Sequence, residues 1–332
     1  MYRIVKYGED ERRILFRNTS QKMNINEAII EKDFWVCLIL DYLFHKCEYS
    51  QVFTFKGGTS LSKCYGLIHR FSEDIDLILD WRILGYTINE PWKERSNTKQ
   101  NTFNKEANHR AADFLRDILL PILKRDISEI IGEEAQLYID EIEPQTICFS
   151  YPHIFQTESI LQVIRLEIGA LAAWTPAKEV SIESYTAECY PKVFEQNITI
   201  VLTAAASRTF WEKVTILHHE ANRPKNLSMP ERYSRHYYDL YCITNAENKR
   251  QTIYDVDLLR RVVRFKMKFY PRKWAQYEKA VIGTIKLVPP DYRLEVLRKD
   301  YENMNEMMFG EYPSFDELIA YISDLEAEIN RL

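Results

Sequence analysis

Glycine and proline are scarce in this chain of 332 residues, at 9 and 12, which excludes a collagen-like, low-complexity or largely disordered protein. The six cysteines, Cys37, Cys47, Cys64, Cys148, Cys189 and Cys242, stand singly with no CxxC spacing. Neither a disulfide framework nor a zinc site is indicated. The N-terminal stretch MYRIVKYGEDERRILF lacks the apolar run of a signal peptide, and no segment approaches the 18 or so apolar residues of a membrane span. No internal repeat and no linker-like stretch is present. These absences leave the expectation of a folded, reduced, cytoplasmic protein with no membrane partner. Hydrophobic residues make up 46% and charged residues 28%. The length exceeds what one core usually serves, so two lobes are expected.

Charge is unevenly spread. The net charge is −5, yet residues 205 to 275 hold 15 Lys and Arg against 7 Asp and Glu, an excess of 8, so the remainder carries −13. A basic sector on an acidic protein points to a polyanionic partner such as NTP or RNA.

The stretch that organises the rest is residues 55 to 79, FKGGTSLSKCYGLIHRFSEDIDLIL. Gln51 to Lys56 reads as a strand ending at Gly57-Gly58, where a backbone free of Cβ atoms can turn sharply. Thr59 and Ser60 stand where a helix N-cap belongs, and such a turn offers backbone N–H groups and a helix dipole to phosphate. In Glu73 to Leu79, strand alternation puts Asp74, Asp76 and Ile78 on one face and Ile75, Leu77 and Leu79 on the other. The two aspartates are then about 7 Å apart at Cα, near enough for both carboxylates to meet one hard cation such as Mg²⁺. Taken alone, Asp-Ile-Asp reads equally as a solvated edge strand, but two like charges on one strand face repel unless something cationic joins them.

GGTSLSK followed by RFSEDIDL resembles the nucleotidyltransferase superfamily that includes DNA polymerase β, with its Gly-Gly or Gly-Ser, a helix, and then Asp-x-Asp on a strand. More narrowly it resembles the AbiEii/AbiGii toxin family of abortive-infection and toxin-antitoxin systems. Fifteen residues separate Gly58 from Asp74, more than in compact superfamily members. The resemblance implies that Asp74 and Asp76 are catalytic metal ligands and that Gly57, Gly58, Thr59 and Ser60 hold the nucleotide. It extends upstream to Glu31-Lys32-Asp33-Phe34-Trp35, which is similar to the helix before the Gly-Gly strand in that family. From physics alone EKD reads as a solvated helix turn without a catalytic role.

Downstream, residues 80 to 105 read as a polar loop or insertion facing the site. Ala107 to Lys124 reads as a helix kinked at Pro121, with a further short helix through Asp126 to Gly132. Gln136 to Ile142, Thr146 to Tyr151, Leu161 to Ala170 and Ile198 to Thr203 read as strands. In the third of these Val163, Arg165, Glu167 and Gly169 share the face opposite Ile164, Leu166 and Ile168. A later-strand carboxylate often completes the metal site in the superfamily, and by that resemblance Glu167 is the candidate; a surface pair with Arg165 is the alternative. Trp211-Glu212-Lys213 and RYSRHYYDLY resemble the Lys-containing and Arg-x-x-x-Asp-Leu helices of the family. This implies that Lys213 contacts NTP phosphates, that Asp239 lies in the catalytic centre, and that Arg235 supports phosphate or acceptor. Where many members have Arg-Asp, this chain has Arg235-His236, so that first Asp has no counterpart here. The spacing of Arg235 and Asp239 also suits a simple intrahelical ion pair.

His218-His219 lacks HExxH or ligand spacing and reads as surface or RNA-facing rather than metal-binding. Residues 257 to 274 read as a basic amphipathic helix. Leu258, Val262, Phe265 and Phe269 supply its core face, and Arg260, Arg261 and Arg264 could line a groove for an RNA backbone or form a solvated back. The C-terminal FDELIAYISDLEAEINRL, after Pro-Ser, reads as a capped helix.

The expected fold is α/β, a nucleotidyltransferase core with a mixed twisted sheet over residues 1 to 205 and a mainly helical lobe over 206 to 332. The expected activity is Mg²⁺-dependent transfer of NMP from NTP, with RNA such as tRNA as acceptor and a cognate antitoxin as partner. Two alternatives are kept open, transfer to a protein or small molecule, and a noncatalytic NTP-binding regulator.

Overall fold

A computed structural model describes residues 1–157, 160–171, 176–246 and 255–332. Lys249 and Arg250 of the basic sector lie outside the described residues. The chain divides into two compact units, the first formed by Met1–Cys64 and Ser72–Ala204, the second by Tyr65–Phe71 and Ala205–Leu332. The short segment Tyr65–Phe71, which links the Gly-Gly helix to the Asp-Ile-Asp strand, is thus counted with the second unit.

The first unit is built on one seven-stranded mixed sheet. Its strands are β1 Phe53–Lys56, β2 Ile75–Leu79, β3 Gln136–Ile139, β4 Thr146–Ser150, β5 Ile164–Gly169, β6 Ala177–Ile182 and β7 Thr199–Ala204. They lie in the order β3-β4-β5-β2-β1-β7-β6. The β1/β2 pair is antiparallel, while β2 runs parallel to β5 and β1 parallel to β7. Alternation decides the faces: Ile75, Leu77 and Leu79 of β2 and Ile164, Leu166 and Ile168 of β5 are buried. Helix Glu27–His45 covers that apolar side, with Trp35 edge-on to Phe149 at 6.0 Å and stacked on Tyr151 at 6.1 Å. Asn26 caps this helix by accepting from the Ala28 N–H at 2.9 Å.

The structure departs from the sequence reading at several points in this unit. The run 80–105 is not one loop, because Ser96 caps a helix that starts at Asn97 and runs to Phe114. That helix continues through a π-turn at Leu115–Leu119 into Leu120–Ile131, so the irregular turn precedes Pro121. Pro121 occupies the first turn of the new segment, where its missing N–H costs least. Edge strand β6, AKEVSI, is polar and mostly exposed, with too little alternation to announce itself. Glu31, Lys32 and Asp33 are buried, not solvated, with 0, 0 and 3% exposure.

The second unit is helical. Its principal described helices are Ala206–Ala221, Ser234–Asn245, Val256–Phe269, Asp291–Glu302 and Phe315–Ile329. The basic helix buries Leu258, Val262, Phe265 and Phe269 and leaves Arg260, Arg261 and Arg264 exposed, as its periodicity requires. The last helix opens with a Ser314/Glu317 capping box. His218 departs from its surface reading: it is buried, 3.1 Å from the Gln276 carbonyl, and accepts the Lys286 N–H at 3.1 Å. His219 is half-buried and stacks on Trp274 at 4.3 Å. Among the described residues no helix is long and apolar enough to cross a membrane.

Candidate active site

The carboxylates come first from strand geometry. Asp76 lies on β2 and Asp74 one residue ahead of it, so the strand is shorter than expected, yet both keep the partly exposed face opposite the apolar set. Parallel pairing of β2 with β5 sets Asp76 directly beside Glu167. Their Cα atoms are therefore about one strand spacing, ~5 Å, apart. Partial burial, and then the neighbouring charges of Asp76 and Asp74, push the Glu167 carboxyl up to about 7.

Arg165 shares that face but is committed elsewhere. Its Nη1 lies 2.6 Å from Asp140 and its Nη2 3.1 Å from Glu143, against 3.8 Å from Nε to Glu167. Asp140, which also accepts the N–H groups of Glu143 and Ile142, is held down at about 2. The Glu167–Arg165 contact is thus the weakest of the three.

The Gly-Gly turn meets the aspartates at close quarters. β1 leads straight into helix Gly57–Lys63, and Lys56 pairs across the sheet with Asp76, its Nζ 3.6 Å from Oδ1. Gly57 has φ +84°, and a Cβ there would fall 1.8 Å from Asp76 Oδ2 and 2.6 Å from its Cγ. Only glycine fits between this backbone and that carboxylate. Thr59 and Ser60 are not at the N-cap; they lie buried inside the first turn. Thr59 donates to the Asp74 carbonyl at 2.5 Å and Ser60 to the Gly57 carbonyl at 3.0 Å. The Thr59 hydroxyl ties the turn to the aspartate segment, while that of Ser60 bonds within the turn itself.

In the second unit Asp239 gathers two cations, neither of which the sequence had paired with it. Its Oδ2 is 2.6 Å from Lys213 Nζ, and Arg70 bonds it through Nε at 2.7 Å and Nη2 at 2.8 Å. The intrahelical pair with Arg235 is not formed; Arg235 is half-buried in the same helix. Burial alone would raise the Asp239 carboxyl, but Arg70 and Lys213 outweigh it and hold the group well below the usual carboxylate range. His236, 3.4 Å from Lys213, is held neutral by burial and by that neighbouring cation. Arg260 and Arg261 are exposed, and Arg260 pairs with Asp257 at 2.7 Å.

Asp74, Asp76 and Glu167 offer oxygen donors only, the set a hard divalent cation takes. Among the described residues no three His, Cys, Asp or Glu side chains are gathered as a metal-binding group. The fit to a cation rests on the donor chemistry, on the carboxylates' mutual repulsion, and on the glycine cradle at Asp76.

A family model described as the nucleotidyl transferase AbiEii toxin of type IV toxin-antitoxin systems matches residues 39–321. The chain belongs to the AbiEii toxin family. No curated relative matches it. Among solved structures it is similar to MenT4, a nucleotidyltransferase toxin from Mycobacterium tuberculosis H37Rv, with a TM-score of 0.51 and 14% identity over 96% of this chain and 92% of that one. Likeness at that identity is one of fold. As an AbiEii member this protein is a nucleotidyltransferase toxin of a type IV toxin-antitoxin system, with NTP as substrate and an antitoxin as partner implied.

Sequence reasoning passed over Arg70, although it stands in the quoted RFSEDID run, and it set aside the charged turn at 31–33. The signal for the latter was present: three charges in a helix otherwise apolar nearly all round must each have a partner.

Proposed function

We propose that this protein transfers NMP from NTP to an RNA acceptor such as tRNA, in a Mg²⁺-dependent reaction held in check by its antitoxin, as a device of phage defence in the cytoplasm. The observation that carries the reading is the approach of the Gly57 backbone to Asp76, with Glu167 paired beside it. Asp74 and Asp76 would hold the cation, with Glu167 as third carboxylate or as acceptor of the hydroxyl proton. Bound Mg²⁺ would supply acidity to the attacking hydroxyl and offset charge on the triphosphate. Gly57, Gly58, Thr59 and Ser60 form the turn whose N–H groups would take phosphate oxygens. Lys213 and Arg235 keep the assignment of phosphate contacts, and Asp239, saturated by Arg70 and Lys213, orients Lys213 rather than reacting itself. The exposed arginines Arg260, Arg261 and Arg264 suit an RNA backbone.

The test is label transfer from each of the four α-³²P NTPs to total RNA with Mg²⁺, followed on a denaturing gel, with Asp74→Asn alongside. An RNA band made by the wild type alone is the expected result. Label found on protein or on a small molecule instead would overturn the choice of acceptor.

A further inference from the structure

Glu31, Lys32 and Asp33 are buried in the second turn of helix Glu27–His45, a position that disfavours charge unless each group is paired. Successive helical residues point about 100° apart, so the three reach three different segments. Glu31 accepts the N–H groups of Ile154 at 2.8 Å and Phe155 at 2.9 Å. Lys32 donates to Glu73 at 2.8 Å and to the Leu161 carbonyl at 2.7 Å. Asp33 lies 2.8 Å from Lys63 Nζ and accepts the Tyr185 N–H at 2.7 Å.

Two of these partners flank the reaction centre. Lys63 is the last residue of the helix that opens at Gly57, and Glu73 immediately precedes Asp74. Nine residues, 64 to 72, run between them in the chain. A single turn of a core helix grips both ends, and the Thr59 bond to the Asp74 carbonyl joins them on the other side. Apolar residues of like volume often hold a fold as well as a buried ion pair does, but they do not fix one direction and one length.

We infer that Lys32 and Asp33 are positioning residues for nucleotidyl transfer, anchoring Glu73 and Lys63 to one rigid helix turn and so setting the place of Asp74 and Asp76 against the Gly57 turn. The inference rests on the reading of Asp74 and Asp76 as the reaction centre. A displacement near 1 Å at such a centre costs on the order of 10²-fold in rate. The loss should fall on kcat and on cation affinity, and much less on KM for NTP.

Two paired replacements test it, Lys32→Met with Glu73→Leu and Asp33→Leu with Lys63→Met, each removing both charges of one anchor. Thermal melting, kcat and KM for transfer, and Mn²⁺ binding by electron paramagnetic resonance without substrate are measured on each. The control is Glu31→Gln, whose partners lie in the loop after β4. The expected result is melting near wild type, kcat lower by about 10²-fold, KM for NTP little changed and Mn²⁺ bound at least tenfold more weakly, with Glu31→Gln keeping wild-type kcat. Paired variants that melt, turn over and bind Mn²⁺ like wild type overturn the inference, as does a Glu31→Gln protein that loses kcat equally. If a paired variant does not fold, Glu73→Asp serves, since it keeps the ion pair but shortens it by one methylene; wild-type kcat there also overturns the inference. Asp74→Asn run in parallel separates the two levels, because undiminished Mn²⁺ binding by that protein overturns the assignment of the centre itself.

Discussion

Gly57→Ala isolates the closest contact in the site. At φ +84° an alanine carries the left-handed penalty, about 1–2 kcal/mol. The new methyl would also stand 1.8 Å from Asp76 Oδ2, 2.6 Å from Cγ and 2.9 Å from Cβ. Rotating the Asp76 side chain about χ1 can relieve the first two contacts but not the third, since its Cβ is fixed by β2, so backbone or strand must give by several tenths of an ångström. To restore 3.0 Å at Oδ2 the carboxylate has to move by about 1.2 Å, and a shift of that size corresponds to roughly a 10²-fold loss of rate. Gly132→Ala is the matched comparison, with φ +79° and nothing within 4 Å of its Cβ, so it bears the backbone term only. Both variants should melt lower, by about 2–4 °C per kcal/mol for a domain of 150–250 residues. Only Gly57→Ala should lose nucleotidyl transfer. Equal turnover by Gly57→Ala and wild type, or an equal loss in Gly132→Ala, would refute the reasoning.

Other perturbations bear on separate parts of the account. Arg70→Met leaves the buried Asp239 with Lys213 as its sole ion-pair partner, which should cost about 3–5 kcal/mol in urea unfolding; a change under about 0.5 would show that the bidentate contact is idle. Glu31 is raised to about 7, first by burial and against the pull of the Phe155 and Ile154 N–H groups and of Arg12 and Arg13. The folded state therefore holds its proton more tightly than the unfolded chain, so stability should fall as pH rises from about 4.5 to about 7, by at most about 3 kcal/mol, and level off above. Glu31→Gln should flatten that part of the pH profile, and an unchanged slope assigns it to other groups. Replacing Arg260, Arg261 and Arg264 together by Gln should weaken RNA binding and reduce the salt slope by about 3, with KM for NTP unchanged; an unaltered slope removes that face from the RNA footprint.

Much of the site was legible because its parts are local. SEDID declares its geometry within a few residues, and the alternation in β2 and β5 places Asp76 and Glu167 on the same kind of face before their pairing is known, whereas GGTS suggested an N-cap that Thr59 and Ser60 do not hold. The pairing itself, Asp76 beside Glu167 across two strands 91 residues apart in the chain, needs the fold. The same holds for Arg70 and Asp239, separated by 169 residues, whose ion pair stands where the i,i+4 spacing of Arg235 and Asp239 had allowed a local one. Long-range pairing also explains the charged turn at 31–33, since a helix that looks solvated at three positions is buried when three distant segments supply partners. Strand β6 escaped notice because an edge strand keeps polar residues on both faces, and the helix from Asn97 because its first turns carry no apolar period.

The central claim is that Asp74 and Asp76 carry nucleotidyl transfer. The most direct measurement is stoichiometric: pyrophosphate released and NMP incorporated into RNA, counted in the same reaction for wild type and Asp76→Asn, with melting curves for both. The account predicts one pyrophosphate per nucleotide incorporated by the wild type and neither product from an Asp76→Asn protein that melts within a few degrees of it. A stable Asp76→Asn protein that releases pyrophosphate and labels RNA at the wild-type rate would contradict it.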